Sequence, residues 1–188
     1  MRILVLDNYD SFTYNLVHYI KELSNEPVDV FRNDEITLEE VDKYDKILLS
    51  PGPGVPDEAG IMKELIAKYG ETKSIFGVCL GVQAIAEVYG GSIYNLNKVY
   101  HGISTPVEIT DNKDITFKGL PKKFEAGRYH SWVVSNDLPE CLSVSARDLD
   151  GQVMAICHKT LDVRGVQFHP ESVLTEHGHE MIKNWLEA

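Results

Sequence analysis

One cysteine stands where its surroundings could make it a nucleophile. Cys79 is the centre of Gly77-Val78-Cys79-Leu80-Gly81, between an apolar run that predicts a strand and an amphipathic segment that predicts a helix. A tight strand-to-helix turn requires glycine two positions before and after the nucleophile, because a Cβ at either position would meet nearby backbone. At a helix N-terminus the helix dipole favours the reactive thiolate. The backbone N–H of Leu80 would point to where an oxyanion forms.

A nucleophilic thiol needs a base, and the base needs a group that orients it. The segment Gln167-Phe168-His169-Pro170-Glu171 offers both. Because the residue before a proline is disfavoured in the α region, we expect an extended chain here, with His169 and Glu171 on the same side. The carboxylate would then hold the imidazole tautomer and stabilise the imidazolium. The alternative interpretation is structural: Cys79 is a small buried apolar residue, His169 ends a strand and Glu171 caps the next turn.

The other histidines compete less well for the role of base. His130 is the second candidate, in the polar and aromatic cluster Arg128–Trp132, but it has no carboxylate two positions further on. His177 and His179 would diverge on a helix surface and lack the i, i+4 spacing of a zinc-binding helix. The three cysteines show no C-x-x-C spacing, so neither a disulfide framework nor a thiolate zinc site is indicated. We therefore predict no metal and no cofactor.

The elements that must position these residues are typical of an α/β fold. Apolar runs at 2–6, 28–31, 46–50 and 74–78 predict buried parallel strands, and helical patterns lie between them. From Ser92 onward β patterns dominate, before a last strand at 163–168 and a C-terminal helix. We expect a single domain over residues 1–188. Its predicted architecture is a three-layer α/β sandwich, with a mostly parallel central sheet, helices on both faces and a small antiparallel β appendage.

Charge and hydropathy exclude several classes of partner. Lys and Arg number 18 against 29 Asp and Glu, a formal net charge of −11, which argues against nucleic acid as a partner. The first apolar run, within Met1–Asp7, is followed by polar residues and is too short for a signal peptide or a membrane span. We therefore expect a cytoplasmic protein that does not bind membranes.

Three motifs together resemble the class I (triad) glutamine amidotransferases in both order and separation. They are Pro51–Gly54, Gly77–Gln83 and Gln167–Ser172, and the resemblance runs over essentially the whole chain. Asp7–Leu16, His101-Gly102 and Arg128–Ser131 resemble the subgroup that serves chorismate-using synthases. Within it, the sequence is most similar to the amidotransferase subunits of anthranilate synthase, and next to those of aminodeoxychorismate synthase.

The resemblance implies a role for individual residues. Cys79 would be the nucleophile, His169 the general acid and base, and Glu171 the carboxylate that orients it. Backbone N–H groups of Leu80 and of the loop 52–54 would form the oxyanion hole, and other positions would hold the amino-acid end of glutamine. The residues implied in substrate binding are Gly52, Pro53, Gly54, Leu80, Gln83, Ser131 and Trp132.

The same resemblance implies an activity and a partner. The chain would hydrolyse L-glutamine to glutamate and ammonia, and pass the ammonia to a chorismate-binding synthase subunit. That subunit would be component I of anthranilate synthase or, alternatively, component I of aminodeoxychorismate synthase, and Asn8–Phe12 would be a candidate interface. Two other readings stay open: a stand-alone cysteine hydrolase, and a noncatalytic regulatory subunit that binds its synthase without hydrolysing glutamine.

Overall fold

A computed structural model describes residues 1–188 of the chain. The strands are β1 (Ile3–Asp7), β2 (Val28–Arg32), β3 (Lys46–Leu49), β4 (Ser74–Val78), β5 (Ile93–Asn95), β6 (Ile103–Ile109), β7 (Lys123–Arg128), β8 (Trp132–Val134), β9 (Leu142–Asp148), β10 (Val153–His158) and β11 (Val163–Val166). The α-helices are α1 (Thr13–Leu23), α2 (Leu38–Val41), α3 (Met62–Tyr69), α4 (Leu80–Val88) and α5 (Gly178–Leu186). None of the helices combines the length and apolar character that a bilayer-spanning segment requires.

The central sheet has nine strands in the order β2-β1-β3-β4-β11-β10-β9-β6-β7. The strands from β2 to β11 in that order are parallel to their neighbours, and the pairs from β11 to β7 are antiparallel. β5 and β8 form a separate two-stranded antiparallel sheet. The predicted mostly parallel sheet with a small antiparallel appendage is therefore confirmed.

Alternate residues of the parallel strands point to opposite faces of the sheet, as the period of a strand requires. Ile3 and Val5 of β1 pack in one apolar core with residues of α1 and α5. Leu4 and Leu6 pack in a second core with residues of α3 and α4. Helices thus cover both faces, and the expected three layers are confirmed.

The N-terminus of α1 differs from its prediction. In the sequence, Asp10 and Ser11 are the residue types that predict a cap for this helix, but the residue before the first helical residue is Phe12, and no side chain caps it. The Asp10 carboxylate accepts instead from the N–H of Phe12, two residues on, at 2.8 Å. An Asx-type bond of this kind stabilises a turn rather than the helix end. At the start of α2 the spacing of Thr37 and Glu40 in the sequence predicts a capping box, and the structure confirms it.

Candidate active site

The predicted strand-to-helix turn is present, with Cys79 between the end of β4 and the start of α4. Cys79 has φ 54° and ψ −101°, in the half of φ/ψ space that residues with a Cβ seldom adopt. A Cβ on Gly77 would lie 2.5 Å from the carbonyl carbon of Gly81, so only glycine fits there. The N–H of Cys79 donates to the Val166 carbonyl of β11 at 2.8 Å. The candidate nucleophile therefore has a strained backbone conformation, which the hydrogen bond to β11 and the close packing of Gly77 on Gly81 hold in place.

The other two residues of the candidate triad, His169 and Glu171, are a buried pair of side chains. His169 Nδ1 lies 2.6 Å from Glu171 Oε1, and these residues are only 2% and 4% exposed. The expectation of an extended chain is wrong at Pro170 and Glu171. The N–H of Ser172 donates to the His169 carbonyl at 3.1 Å, which closes a turn over these residues. The turn brings the carboxylate back to the imidazole, so the predicted contact forms by a different backbone route.

The charge state of His169 follows from its neighbours. Burial alone would lower the pKa of His169, but contact with Cys79 and with the Glu171 carboxylate outweighs burial and raises the pKa to about 10. Nδ1 is occupied by Glu171, while Nε2 is buried without a hydrogen bond of good geometry. The Cys79 side chain lies close enough to the ring to stabilise its proton. A protonated imidazole beside a thiol is the arrangement that nucleophilic cysteine chemistry needs.

A cavity of about 230 Å³ opens next to Cys79. Each residue that the resemblance implied in substrate binding lines it, namely Gly52, Pro53, Gly54, Leu80, Gln83, Ser131 and Trp132. In the remaining wall, Tyr129 and His130 belong to the polar and aromatic cluster recognised in the sequence, whereas Val99, Tyr100 and His101 were not predicted to line the site. Two larger cavities, of about 600 and 730 Å³, share no residue with this wall. We place the site at the smaller cavity because it alone of these three contains the thiol and the predicted binding residues.

Asn8, which the sequence analysis placed in a candidate interface, anchors the loop after β3. Asn8 is 2% exposed, and its side-chain Nδ2 donates to the Ser50 carbonyl at 2.8 Å. A Cβ on Gly52 would lie 2.5 Å from the Asn8 carbonyl oxygen, so the two loops are in close contact. Asn8 therefore positions the candidate oxyanion loop, while Tyr9 and Ser11 are the exposed members of the segment 8–12.

His130, the second candidate base, is committed to other bonds. Its Nε2 accepts from Arg128 Nε at 3.1 Å, so the ring proton is on Nδ1, which donates to the Trp132 carbonyl at 2.8 Å. Burial and the neighbouring Arg128 charge lower the pKa of His130 to about 3. This imidazole is neutral near neutral pH with both nitrogens bonded, so it fixes the cavity wall, and His169 is the better candidate for the base.

The comparison with protein families agrees with this geometry. The family model for "Glutamine amidotransferase class-I" matches residues 4–188. The chain belongs to the class I glutamine amidotransferase family. The recognition made from the three sequence motifs is thereby confirmed.

Curated relatives of this amidotransferase carry the names of two related synthases. The aminodeoxychorismate/anthranilate synthase component 2 of Bacillus subtilis is 48% identical, over 99% of this chain and 96% of the relative. The anthranilate synthase component 2 of Pseudomonas aeruginosa is 46% identical, over 98% and 94%. The aminodeoxychorismate synthase component 2 of Escherichia coli is 48% identical, over 98% of each chain. These identities do not separate the two kinds of synthase.

In this amidotransferase the candidate site residues follow the carboxyl ends of neighbouring parallel strands, where α/β sheets place their ligands. Cys79 follows β4, the loop 52–54 follows β3, and His169 lies beyond β11. No cluster of three or more His, Cys, Asp or Glu side chains is arranged to hold a metal ion.

Proposed function

We propose that this chain is the glutaminase subunit of anthranilate synthase, which hydrolyses L-glutamine and supplies ammonia to a chorismate-binding synthase subunit. The observation that carries the proposal is a single constellation: Cys79 at the strand-to-helix corner, beside the buried His169–Glu171 pair and at the floor of the cavity. Membership of the amidotransferase family supports glutamine as the substrate. We also propose that residues 1–188 act as one domain, in the cytoplasm.

The proposed first half-reaction forms a thioester. The Cys79 thiolate attacks the side-chain carboxamide carbon of glutamine, and the carbonyl oxygen becomes an oxyanion. The N–H of Leu80 at the start of α4 has no preceding helical turn to bond to, and with the N–H groups of the loop 52–54 it would stabilise that charge. The imidazolium of His169 then gives its Nε2 proton to the departing nitrogen. The C–N bond breaks, ammonia leaves, and a glutamyl thioester remains on Sγ.

The second half-reaction regenerates the thiolate. His169, now neutral, accepts a proton from water at Nε2 while the water oxygen attacks the thioester carbon. The C–S bond breaks, glutamate leaves, and the thiolate beside the imidazolium is restored. Throughout, Glu171 keeps the ring oriented through the 2.6 Å bond at Nδ1. The same nitrogen thus serves as acid and then as base.

The chemistry of ammonia explains why a partner is proposed. Near neutral pH, free ammonia in water is mostly ammonium, which is not a nucleophile, so the product needs a sheltered route to its acceptor. The curated relatives are named as component 2 of their synthases, which supports a chorismate-binding component 1 as the partner. The exposed Tyr9 and Ser11, beside the site edge, are candidate contacts for it.

The test is reconstitution with component 1 of anthranilate synthase, comparing glutamine with ammonium as nitrogen donor. Cys79→Ala should abolish glutamine-dependent anthranilate synthesis and retain ammonium-dependent synthesis. Cys141→Ala is the matched control, because Cys141 is a free, half-buried cysteine that does not line the site cavity, and it should keep both activities. Retention of glutamine use by Cys79→Ala would show that the catalytic assignment is wrong.

The second candidate function is the same reaction for aminodeoxychorismate synthase. It is favoured by the 48% identity to the Escherichia coli protein and by the double name of the Bacillus subtilis relative. Reconstitution with component 1 of each synthase distinguishes the two, since the aromatic amines that they release differ. A subunit that serves both would support glutamine-dependent synthesis with either partner.

A further inference from the structure

Gln167 contacts the candidate nucleophile directly and has no role in the reaction as described above. It follows β11, is 1% exposed, and its N–H donates to the Met154 carbonyl of β10 at 2.8 Å. Its side-chain Nε2 lies 3.4 Å from Cys79 Sγ, within range of a hydrogen bond to sulfur. Its Oε1 accepts from Gln83 Nε2 at 3.1 Å. A buried carboxamide therefore joins the nucleophile to a residue of the cavity wall.

The orientation of the Gln167 amide follows from its neighbours. The Trp132 carbonyl can only accept, so the Gln83 atom 3.0 Å from it is the donor Nε2. The same Nε2 contacts Gln167, so the Gln167 atom that faces it must be the acceptor Oε1. Nε2 of Gln167 then points to Cys79. The Trp132 carbonyl also accepts from His130 Nδ1. The contacts that run from Trp132 through Gln83 to Gln167 therefore fix which atom of the Gln167 amide faces Cys79.

We propose that Gln167 is a positioning residue for Cys79, whose side-chain N–H donates to Sγ and stabilises the thiolate in the rotamer that faces the cavity. The inference rests on the proposed function, in which that thiolate is the nucleophile. A hydrogen bond to a charged acceptor is stronger than one to a neutral acceptor, so the contact favours the thiolate over the thiol. Because His169 Nε2 has no hydrogen-bond partner, the Gln167 N–H is the donor that the structure places on Sγ.

The contact also links substrate binding to the nucleophile. Gln83 lines the cavity, and both hydrogens of its Nε2 are used, one on Trp132 and one on Gln167. A displacement of Gln83 would therefore change the position of the Gln167 amide and, through it, that of Sγ. The position of Gln83 in the cavity wall and the orientation of the Cys79 side chain therefore depend on the same hydrogen-bond network.

The test measures the pH dependence of Cys79 alkylation by iodoacetamide in two variants. Gln167→Met keeps the length of the side chain and removes the donor. Gln167→Glu keeps an oxygen for Gln83 but places a carboxylate beside Sγ. We expect the midpoint of the alkylation profile to move to higher pH by about one unit for Met, and further for Glu. Peptide mass analysis reports Cys79 separately from Cys141 and Cys157.

Both substitutions leave in place the other titratable groups around the sulfur; they are His169, with Glu171 behind it, and the cavity-wall residues His101, Tyr129 and His130. In reconstituted enzyme, kcat with glutamine should fall in both variants while ammonium-dependent synthesis is retained. An unfolding midpoint that falls while the alkylation profile stays in place would mean that Gln167 is only structural, and the proposal would be overturned.

A measurement on the unsubstituted chain covers the case in which a variant does not fold. The side-chain amide resonance of Gln167 should shift with the pH titration of Cys79, and this response should be absent in Cys79→Ala. An amide resonance that is indifferent to Cys79 would also overturn the proposal. Failure of the proposed function would be seen separately, as glutamine use that survives Cys79→Ala, whatever Gln167 does.

Discussion

Glu171→Gln isolates the charge of the carboxylate in the candidate triad, because glutamine keeps the size of the side chain and an oxygen that can accept from His169 Nδ1. The native contact is 2.6 Å long, and the two side chains are 3% and 0% exposed, so solvent does not screen it. Hydrogen bonds to charged groups contribute about 1.5 to 3 kcal/mol. We therefore expect a loss of about 2 kcal/mol in the free energy of unfolding at pH 6.

The pH dependence of this loss has a definite sign. Burial acts to lower the pKa of His169, but Cys79 and Glu171 together raise it from the ordinary 6.5 to about 10 in the folded state. A raised pKa contributes stability that is fully present below the unfolded pKa and is lost as the pH rises through the folded one. Removing the Glu171 charge lowers the pKa of His169. The difference between wild type and Glu171→Gln should therefore be largest below pH 6.5 and should nearly disappear above pH 10.

Urea unfolding at pH 6, 8 and 10 measures this difference. Glu22→Gln is the matched control, since Glu22 pairs with His18 and His179 on the surface, where its side chain is 45% exposed. The control should change stability by less than about 1 kcal/mol at any of these pH values. In the reconstituted enzyme, Glu171→Gln should also lower glutamine-dependent kcat by about 100-fold or more. A stability difference of the same size at pH 6 and pH 10 would refute the charge-pair explanation.

Three further substitutions test the surroundings of the site. Gly77→Ala places a Cβ 2.5 Å from the Gly81 backbone and should cost about 2 to 3 kcal/mol in urea unfolding, where an unchanged midpoint would contradict the close approach. Asn8→Ala leaves the Ser50 carbonyl without its donor; steady-state assays should show glutamine-dependent kcat lowered about 10-fold or more, with ammonium-dependent synthesis retained. Arg128 forms a buried ion pair with Asp148 at 2.9 Å, so Arg128→Met leaves the Asp148 carboxylate without its cation. We expect a loss of about 3 to 5 kcal/mol in the same unfolding assay, and a loss below about 1 kcal/mol would contradict the importance of the ion pair.

The parallel half of the fold was predictable because its strands are continuous apolar runs between helical patterns. Residues 74–78 were predicted as a strand and form β4, since burial on both faces leaves an unbroken apolar signal. β7 was missed: in Lys123–Arg128 the inward positions include Ala126 and Arg128, so no clear alternation of apolar residues marks it. An arginine that is 1% exposed cannot be recognised as an inward residue from sequence alone.

The candidate triad was predictable for a similar reason, because two of its residues, His169 and Glu171, are neighbours in one short motif. The contacts that hold the site together lie between distant segments. Gln167 and Cys79 are 88 residues apart in sequence, and Gln83 and Trp132 are 49 apart. Neither contact leaves a periodic or local signal. The first depends on the pairing of β4 with β11, and the second on the packing of β8 of the small sheet against α4, so both can be read only once the tertiary fold is known.

Sheet register explains why these residues meet. β4 and β11 are parallel neighbours, with Val78 paired to Val166. The next residue of each strand is therefore Cys79 on one side and Gln167 on the other, which brings the amide to the sulfur. A slip of one residue would displace β11 by about 3.3 Å and turn each of its side chains to the opposite face. Gln167 would then leave Cys79, so the arrangement of the site depends on the β4–β11 pairing as much as on the motifs.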